Sequence, residues 1–469
     1  MKEFIIKLDT ESKLKLFEQV YERFKNDIES GEIEPGSKMP SLRKLAKDND
    51  ISITTVESAY NQLLLEGYIN SRPKSGYYVN SEISPIENIE SKEDKASESN
   101  ELPRDAMLLF DEESFDFYKW KRSMNKVFNK YSRLLRSDAS PEGEQMLREE
   151  IALYLRESRG MISSPENIVI AAGSMHLTNS LLRIFKEMGI RKASTEFPGY
   201  DKINRVFESA DIELNKVGTT GDIELSEMGS ERQVVYINPS NRYPLGTVMP
   251  VSKRIELIKW AEAKDSYIIE DDYDSELRYF GKPVPPMKMI GDGQRVIYYG
   301  SFSATLFAGI NISYMILPDE IMSRWKKSKD TYVQTCSKTE QLCLALYMHD
   351  GHYRRTIKRC RKIYSAKLRT TIEVFKEYGD EIFTPVNSMS GMALTLRVKT
   401  SIPGEALALA AKRSGMLMEP VEELSTEESK VICFYFYRVS ETMLKILIKQ
   451  YIHTIKRNME RGASDGQIK

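Results

Sequence analysis

Along the first eighty residues, apolar positions recur at helical spacing and then switch to alternation. Phe17, Val20, Tyr21, Phe24 and Ile28 share one helical face. Glu34-Pro35-Gly36-Ser37 supplies a turn. The run from Ser41 to Lys47 predicts a short second helix, with Ser41, after Pro40, as its N-cap. The turn Asp48-Asn49-Asp50-Ile51 leads to a third helix from Ser52 to about Glu66, stopped by Gly67. Tyr68-Ile69-Asn70-Ser71 and Tyr77-Tyr78-Val79 then predict two strands, joined by Arg72-Pro73-Lys74-Ser75-Gly76.

The pattern changes at residues 81–101. Seven acidic residues stand there against two lysines, a net charge of 2 − 7 = −5, and Ser and Asn fill most of the rest. Such a segment cannot bury enough apolar surface to fold and repels itself, so a flexible linker is expected. From residue 102 to the C-terminus one large α/β domain is expected. Apolar strands at Ile168–Ala172, Val234–Ile237, Ile268–Ile269 and Val296–Tyr299 alternate with helical patterns. From about Lys358 a long amphipathic helix leads into a smaller α+β subdomain, and the tail Arg461–Lys469 is expected to fray. The predicted domains are therefore 1–80, 81–101 as linker, and 102–469.

Composition narrows the function. The chain has 469 residues, 41% of them hydrophobic, enough for two or three domains with a sizeable core. No run of eighteen apolar residues and no signal-like N-terminal segment occurs, so a cytoplasmic protein with no membrane partner is expected. The cysteines Cys336, Cys343, Cys360 and Cys433 lack metal spacing and are read as reduced thiols. With only 4 histidines, no metal site is expected. The net charge of −1 gives no global attraction for nucleic acid. Residues 1–80 carry 12 Lys and Arg against 13 Asp and Glu, so a DNA contact must use the local patch Lys38, Arg43, Lys44, Arg72 and Lys74.

Several stretches of the N-terminal unit occur in the order of a known reader: Leu16-Phe17-Glu18-Gln19-Val20, Gly31-Glu32-Ile33-Glu34-Pro35-Gly36, Met39-Pro40-Ser41-Leu42-Arg43, Ser52-Ile53-Thr54-Thr55-Val56, Glu66-Gly67-Tyr68-Ile69 and the wing glycine Gly76. The unit resembles the GntR-type winged helix-turn-helix. The resemblance implies a double-stranded DNA operator as partner, contacted by Lys38, Ser41, Arg43, Lys44, Ser52, Thr54, Thr55, Ser58, Arg72, Lys74, Ser75 and Gly76. A recognition helix fits the major groove, and helix N-termini and cationic side chains clamp phosphates. The family often carries an arginine at the second position of the Ser-x-Thr-Thr run, where this chain has Ile53.

In the large domain, Phe197-Pro198-Gly199-Tyr200, Pro239-Ser240-Asn241-Arg242-Tyr243-Pro244-Leu245-Gly246, Ile268-Ile269-Glu270-Asp271-Asp272-Tyr273 and Tyr299-Gly300-Ser301-Phe302-Ser303-Ala304 resemble the heart of a fold-type I aminotransferase. The whole chain is similar to the MocR subfamily of GntR regulators. The resemblance places Asp271 at the pyridine nitrogen of pyridoxal phosphate, Tyr273 at its phenolic oxygen and Tyr200 against its ring. It makes Gly173, Ser174 and Met175 a phosphate cradle, with Asn241, Ser301 and Ser303 close by. It also identifies three departures. Ala304 stands where the family has the Schiff-base lysine, Asn311 where an arginine holds the phosphate, and Cys433 where an arginine grips the substrate carboxylate. A charge-assisted hydrogen bond contributes about 1.5–3 kcal/mol, so these losses imply much weaker cofactor binding. His176 is read as a pocket or surface histidine rather than a base.

The expectation is a DNA-binding transcription regulator, not an enzyme. Its aminotransferase-like domain is expected to hold no covalent pyridoxal phosphate, to form a head-to-tail homodimer and to sense a small-molecule effector. Two alternatives stand beside it: a regulator that binds pyridoxal phosphate, or its amino-acid adduct, noncovalently, and an active aminotransferase. The expected fold is multidomain α/β: a winged helix-turn-helix, then a fold-type I aminotransferase-like domain with a small C-terminal α+β subdomain.

Overall fold

The computed structural model describes residues 6, 8, 14–73, 75–82, 114–218, 223–279, 284–386 and 390–465. The chain divides into two compact units, Met1–Glu101 and Leu102–Lys469. All but the first two residues of the expected linker lie outside the described residues, as does Lys74.

The first unit is built from helices Leu16–Glu29, Leu42–Asp48 and Ile53–Leu65 and the strands β1 (Ile69–Arg72) and β2 (Gly76–Val79). The apolar stripe of the first helix buries Val20, Phe24 and Ile28 against Leu45, Val56, Tyr60 and Leu63. Ser41 and Ser52 cap the next two helices, accepting from the Lys44 N–H at 3.3 Å and the Thr55 N–H at 3.0 Å. The third helix ends at Leu65, and Gly67 follows at φ +81°. β1 and β2 pair antiparallel from Ile69 with Val79 to Arg72 with Gly76, the tight end of the hairpin.

The second unit holds a seven-stranded sheet. Its strands are β3 (Ile168–Ala171), β4 (Lys192–Glu196), β5 (Glu213–Val217), β6 (Val234–Ile237), β7 (Tyr267–Asp271), β8 (Val296–Ser301) and β9 (Ser313–Ile316), in the order β3-β9-β8-β7-β6-β4-β5. All run parallel except β9, which pairs antiparallel with both β3 and β8. β6 and the first four residues of β7 are buried throughout, as expected for parallel strands covered on both faces.

A smaller sheet follows from β10 (Phe383–Pro385), β11 (Leu394–Lys399), β12 (Met418–Pro420) and β13 (Ser429–Phe434), antiparallel in the order β10-β11-β13-β12. The helix expected from about Lys358 begins six residues earlier, at His352, and runs to Gly379. Gly351, at φ +72°, turns the chain before it, so the start is set by that left-handed residue rather than by the amphipathic stripe. At the C-terminus helical backbone runs over Glu441–Asp465, past Arg461 where fraying was expected to begin, and Leu444, Ile448, Tyr451, Ile452 and Ile455 of this helix lie in the subdomain core.

Candidate functional site

Lys38, Ser41, Arg43, Lys44, Ser52, Thr54, Ser58, Arg72, Ser75 and Gly76 are all exposed, and Thr55 is half-buried. The Ser52 hydroxyl lies 2.7 Å from both the Thr54 and Thr55 hydroxyls, and Ser58 donates to the Thr54 carbonyl at 2.9 Å. The start of the third helix is thus a knot of short hydroxyl side chains with Ile53, 47% exposed, among them. An exposed apolar side chain there suits contact with a thymine methyl rather than a guanine edge. Sequence reading missed Tyr78. The Arg72 guanidinium lies 4.3 Å over its ring, Lys38 lies 5.7 Å over it, and its hydroxyl meets Ser75 at 2.8 Å. The Ser75 bond, then the two cations, lowers the phenol from its usual value. The available signal was the two-residue period, which puts Tyr78 on the same strand face as Gly76.

In the second unit the sheet gathers residues that the sequence scatters. Gly173, Tyr200 and Asn241 follow the carboxyl ends of β3, β4 and β6, and Asp271 and Ser301 are the last residues of β7 and β8. Asn311 precedes β9, the reversed strand, and so reaches the same edge. Ligands of open α/β sheets bind at that edge.

Gly173, at φ +90°, opens the helix Ser174–Glu187 and leaves its first N–H groups without helical partners. Asn311 takes up a left-handed backbone at φ +38°. Its Nδ2 donates to the Ala172 carbonyl at 3.4 Å, and its Oδ1 lies 3.0 Å from where a side chain on Gly173 would start. His176 is exposed, and its Nδ1 lies 2.8 Å from the Ala172 carbonyl. The Ser301 hydroxyl accepts from the Ser303 N–H at 3.3 Å and from the Ser313 hydroxyl at 3.0 Å. Met175 and Tyr200 are partly exposed, and the Ser174 hydroxyl meets the Tyr200 phenol.

Asp271 ends β7 and accepts a hydrogen bond from Tyr236, a residue buried inside β6 that carried no sequence signal. Burial raises Asp271 to about 6, against the Tyr236 bond that stabilises its charge. Burial, then the charge of Asp274, raises Tyr273. Asn241 is occupied: its Nδ2 donates to Asp274 at 2.6 Å and its Oδ1 accepts from Ser390 at 3.1 Å. Burial brings Asp274 to about 7 and Glu276 to about 7. Beneath them Asp272 pairs with Arg159 and accepts from Tyr298 at 2.6 Å and Ser275 at 2.8 Å.

Ala304 is 7% exposed and belongs to the apolar cluster of Leu277, Cys360 and Met392. Cys433 is buried in β13 opposite Thr395, whose hydroxyl it meets at 3.6 Å, and it contacts Tyr243. Burial pushes its thiol up to about 11. The four cysteines are free and buried, and no group of metal-ligating side chains forms among the described residues. No described helix is long and apolar enough to cross a membrane.

Comparison with known proteins agrees with both units. Residues 16–79 match "Bacterial regulatory proteins, gntR family" and residues 108–447 match "Aminotransferase class I and II". The HTH-type transcriptional regulator YdeL of Bacillus subtilis (strain 168) is 34% identical over 93% of this chain and 96% of its own length. The probable rhizopine catabolism regulatory protein MocR of Rhizobium meliloti is 27% identical over 88% of each chain. The pyridoxine biosynthesis transcriptional regulator PdxR of Corynebacterium glutamicum is 28% identical over 79% of this chain and 81% of its own. Among solved structures, a multiple substrate aminotransferase from Thermococcus profundus superposes with a TM-score of 0.64 over 75% of this chain and 91% of its own, at 23% identity. That likeness establishes the fold of the second unit alone.

Proposed function

This chain belongs to the MocR type within the gntR family of bacterial regulatory proteins, transcription regulators with an aminotransferase-like domain, and from that premise we propose that its second unit has left covalent pyridoxal phosphate chemistry and serves dimerisation and effector sensing. The observation that carries this reading is Ala304. A Schiff base requires a primary amine, and a buried methyl supplies none. Asn311 lies at the Gly173 cradle and brings no positive charge. The residues present therefore do not fit pyridoxal phosphate held as an imine. The buried Cys433 thiol, held protonated at neutral pH, offers nothing to a substrate carboxylate.

Dimerisation is supported by exposed apolar side chains on the helix Phe117–Lys130. Phe117, Tyr118 and Phe128 are 53%, 75% and 54% exposed there. Winged readers also use paired half-sites, which a two-fold or head-to-tail dimer supplies. A second reading, noncovalent pyridoxal phosphate, is favoured by one observation. The open helix N-terminus at Ser174 still faces the same cleft as Asp271 and Tyr200.

The test is chemical. The full-length chain is incubated with pyridoxal phosphate, reduced with borohydride and weighed by mass spectrometry. No adduct on a cleft residue and no imine absorption band are expected. A phosphopyridoxyl adduct in the cleft overturns the proposal. Reversible binding at micromolar concentration without an adduct selects the second reading.

A further inference from the structure

We propose that the cleft takes a cationic small molecule, an amine or ammonium compound without a phosphate, gripped by tyrosine faces and carboxylates. The proposal rests on the reading that the cleft is an effector site and names the chemistry of its ligand.

The resemblance to fold-type I aminotransferases implies positive charge at three places that hold Ala304, Asn311 and Cys433 here. What surrounds them is acidic and aromatic. Tyr200 and Tyr273 stand within electrostatic reach of Asp271 and of each other. Asn241 ties Asp274 to the loop that carries Tyr243. Tyr243 in turn contacts Cys433 and Tyr435, and the Tyr435 hydroxyl donates to the exposed Glu419 at 2.5 Å. Successive contacts and electrostatic neighbours thus link Ser174 through Tyr200, Tyr273 and Asn241 to Tyr435 and Glu419, with carboxylates at 271, 274 and 419.

Nearby cations are already committed. Arg242 pairs with Glu196, Arg159 pairs with Asp272, and Arg438 donates to the Tyr437 hydroxyl at 2.9 Å with its guanidinium 5.5 Å over that ring.

The second observation is independent of charge. Asp274 and Ser240, 7% and 5% exposed, each hold a buried oxygen, Oδ1 and Oγ, with no hydrogen-bond partner among the described residues. Buried polar groups without partners are costly, and the Asp274 carboxylate oxygen asks for a donor from outside. An ammonium group supplies donors and charge together, and aromatic faces add attraction for it. A cation beside Asp274 would also draw its carboxyl back from about 7 towards the charged form.

The test uses the full-length chain in thermal unfolding and calorimetry with two probe sets. Choline, putrescine and pyridoxamine are the cations. Inorganic phosphate, succinate and pyridoxal phosphate are the anions. At least one cation is expected to raise the melting temperature, with no rise from any anion. Asp274→Asn is expected to weaken that cation about tenfold. Because Glu419 is exposed, Glu419→Gln is expected to fold and to weaken it by a smaller factor. Stabilisation by anions alone, no shift from any cation, or cation binding unchanged in both variants overturns the proposal. A borohydride-trapped adduct would instead defeat the effector-site reading beneath it.

Discussion

The reader and the cleft assemble their chemistry in opposite ways. In the reader, Ser52, Thr54, Thr55 and Ser58 lie within seven consecutive residues, and one capped helix presents them. In the cleft, Ser174, Tyr200, Asn241, Asp271 and Ser301 span well over a hundred residues and meet only because strand ends converge. The reader's polar groups are exposed and cheap to hold. The cleft's are more enclosed: Ser174, Asn241, Asp271 and Ser301 are half-buried and Asp274 is buried, so these must find a partner or shift their charge.

The largest test of this contrast is Arg159→Leu. It leaves Asp272 buried and unpaired and should destabilise the second unit by about 3–5 kcal/mol. The three tryptophans, Trp120, Trp260 and Trp325, all lie in that unit, so their fluorescence in denaturant reads it directly. Hydrogen exchange across residues 53–65 should stay unchanged. A loss below about 1 kcal/mol would mean the pair adds little beyond the hydrogen bonds of Asp272.

Acidity gives the next effect. Asp271, Asp274 and Glu276 sit at about 6, about 7 and about 7 in the folded chain, above the ordinary carboxylate range. Between that range and pH 7 the folded state binds more protons than the unfolded one. Stability is therefore fully present below about pH 4 and declines as pH rises through the folded values, by up to about 1.4 kcal/mol per pH unit for each group. Tryptophan-monitored melting should shift upward from pH 8 to pH 6, and Asp274→Asn should flatten the trend. A downward shift would contradict burial as the cause of the raised carboxyls.

The smallest effect belongs to the reader. Ser52→Ala removes the cap on Thr55 and should cost about 1 kcal/mol, seen as faster exchange of amides 53–65 with the tryptophan transition unmoved. Movement of the tryptophan transition would instead show that the two units share stability.

Legibility followed the same divide. The caps Ser41 and Ser52, the stop at Gly67 and the wing hairpin were readable because each is a local decision of a few residues. The Tyr78 cluster was not, since Lys38 approaches it from outside the hairpin. In the cleft, the strands β6, β7 and β8 announced themselves by apolar runs, but the reversed β9 did not declare its direction. Tyr236 read as one more core residue until the sheet set it beside Asp271. The partners of Asn241, Asp274 and Ser390, were likewise set by the sheet and not by a local pattern.

The sequence by itself determined the order of elements, the reader's hydroxyl-rich helix start and the absence of an amine at position 304, because each is a property of neighbouring residues. Only the tertiary structure decided that Asp274 and Ser240 keep oxygens without partners among the described residues, that Asn311 turns left-handed beside Gly173, and that Cys433 is buried against Tyr243. Burial and hydrogen-bond partnership are properties of what the chain brings together, and strands distant in sequence supply both.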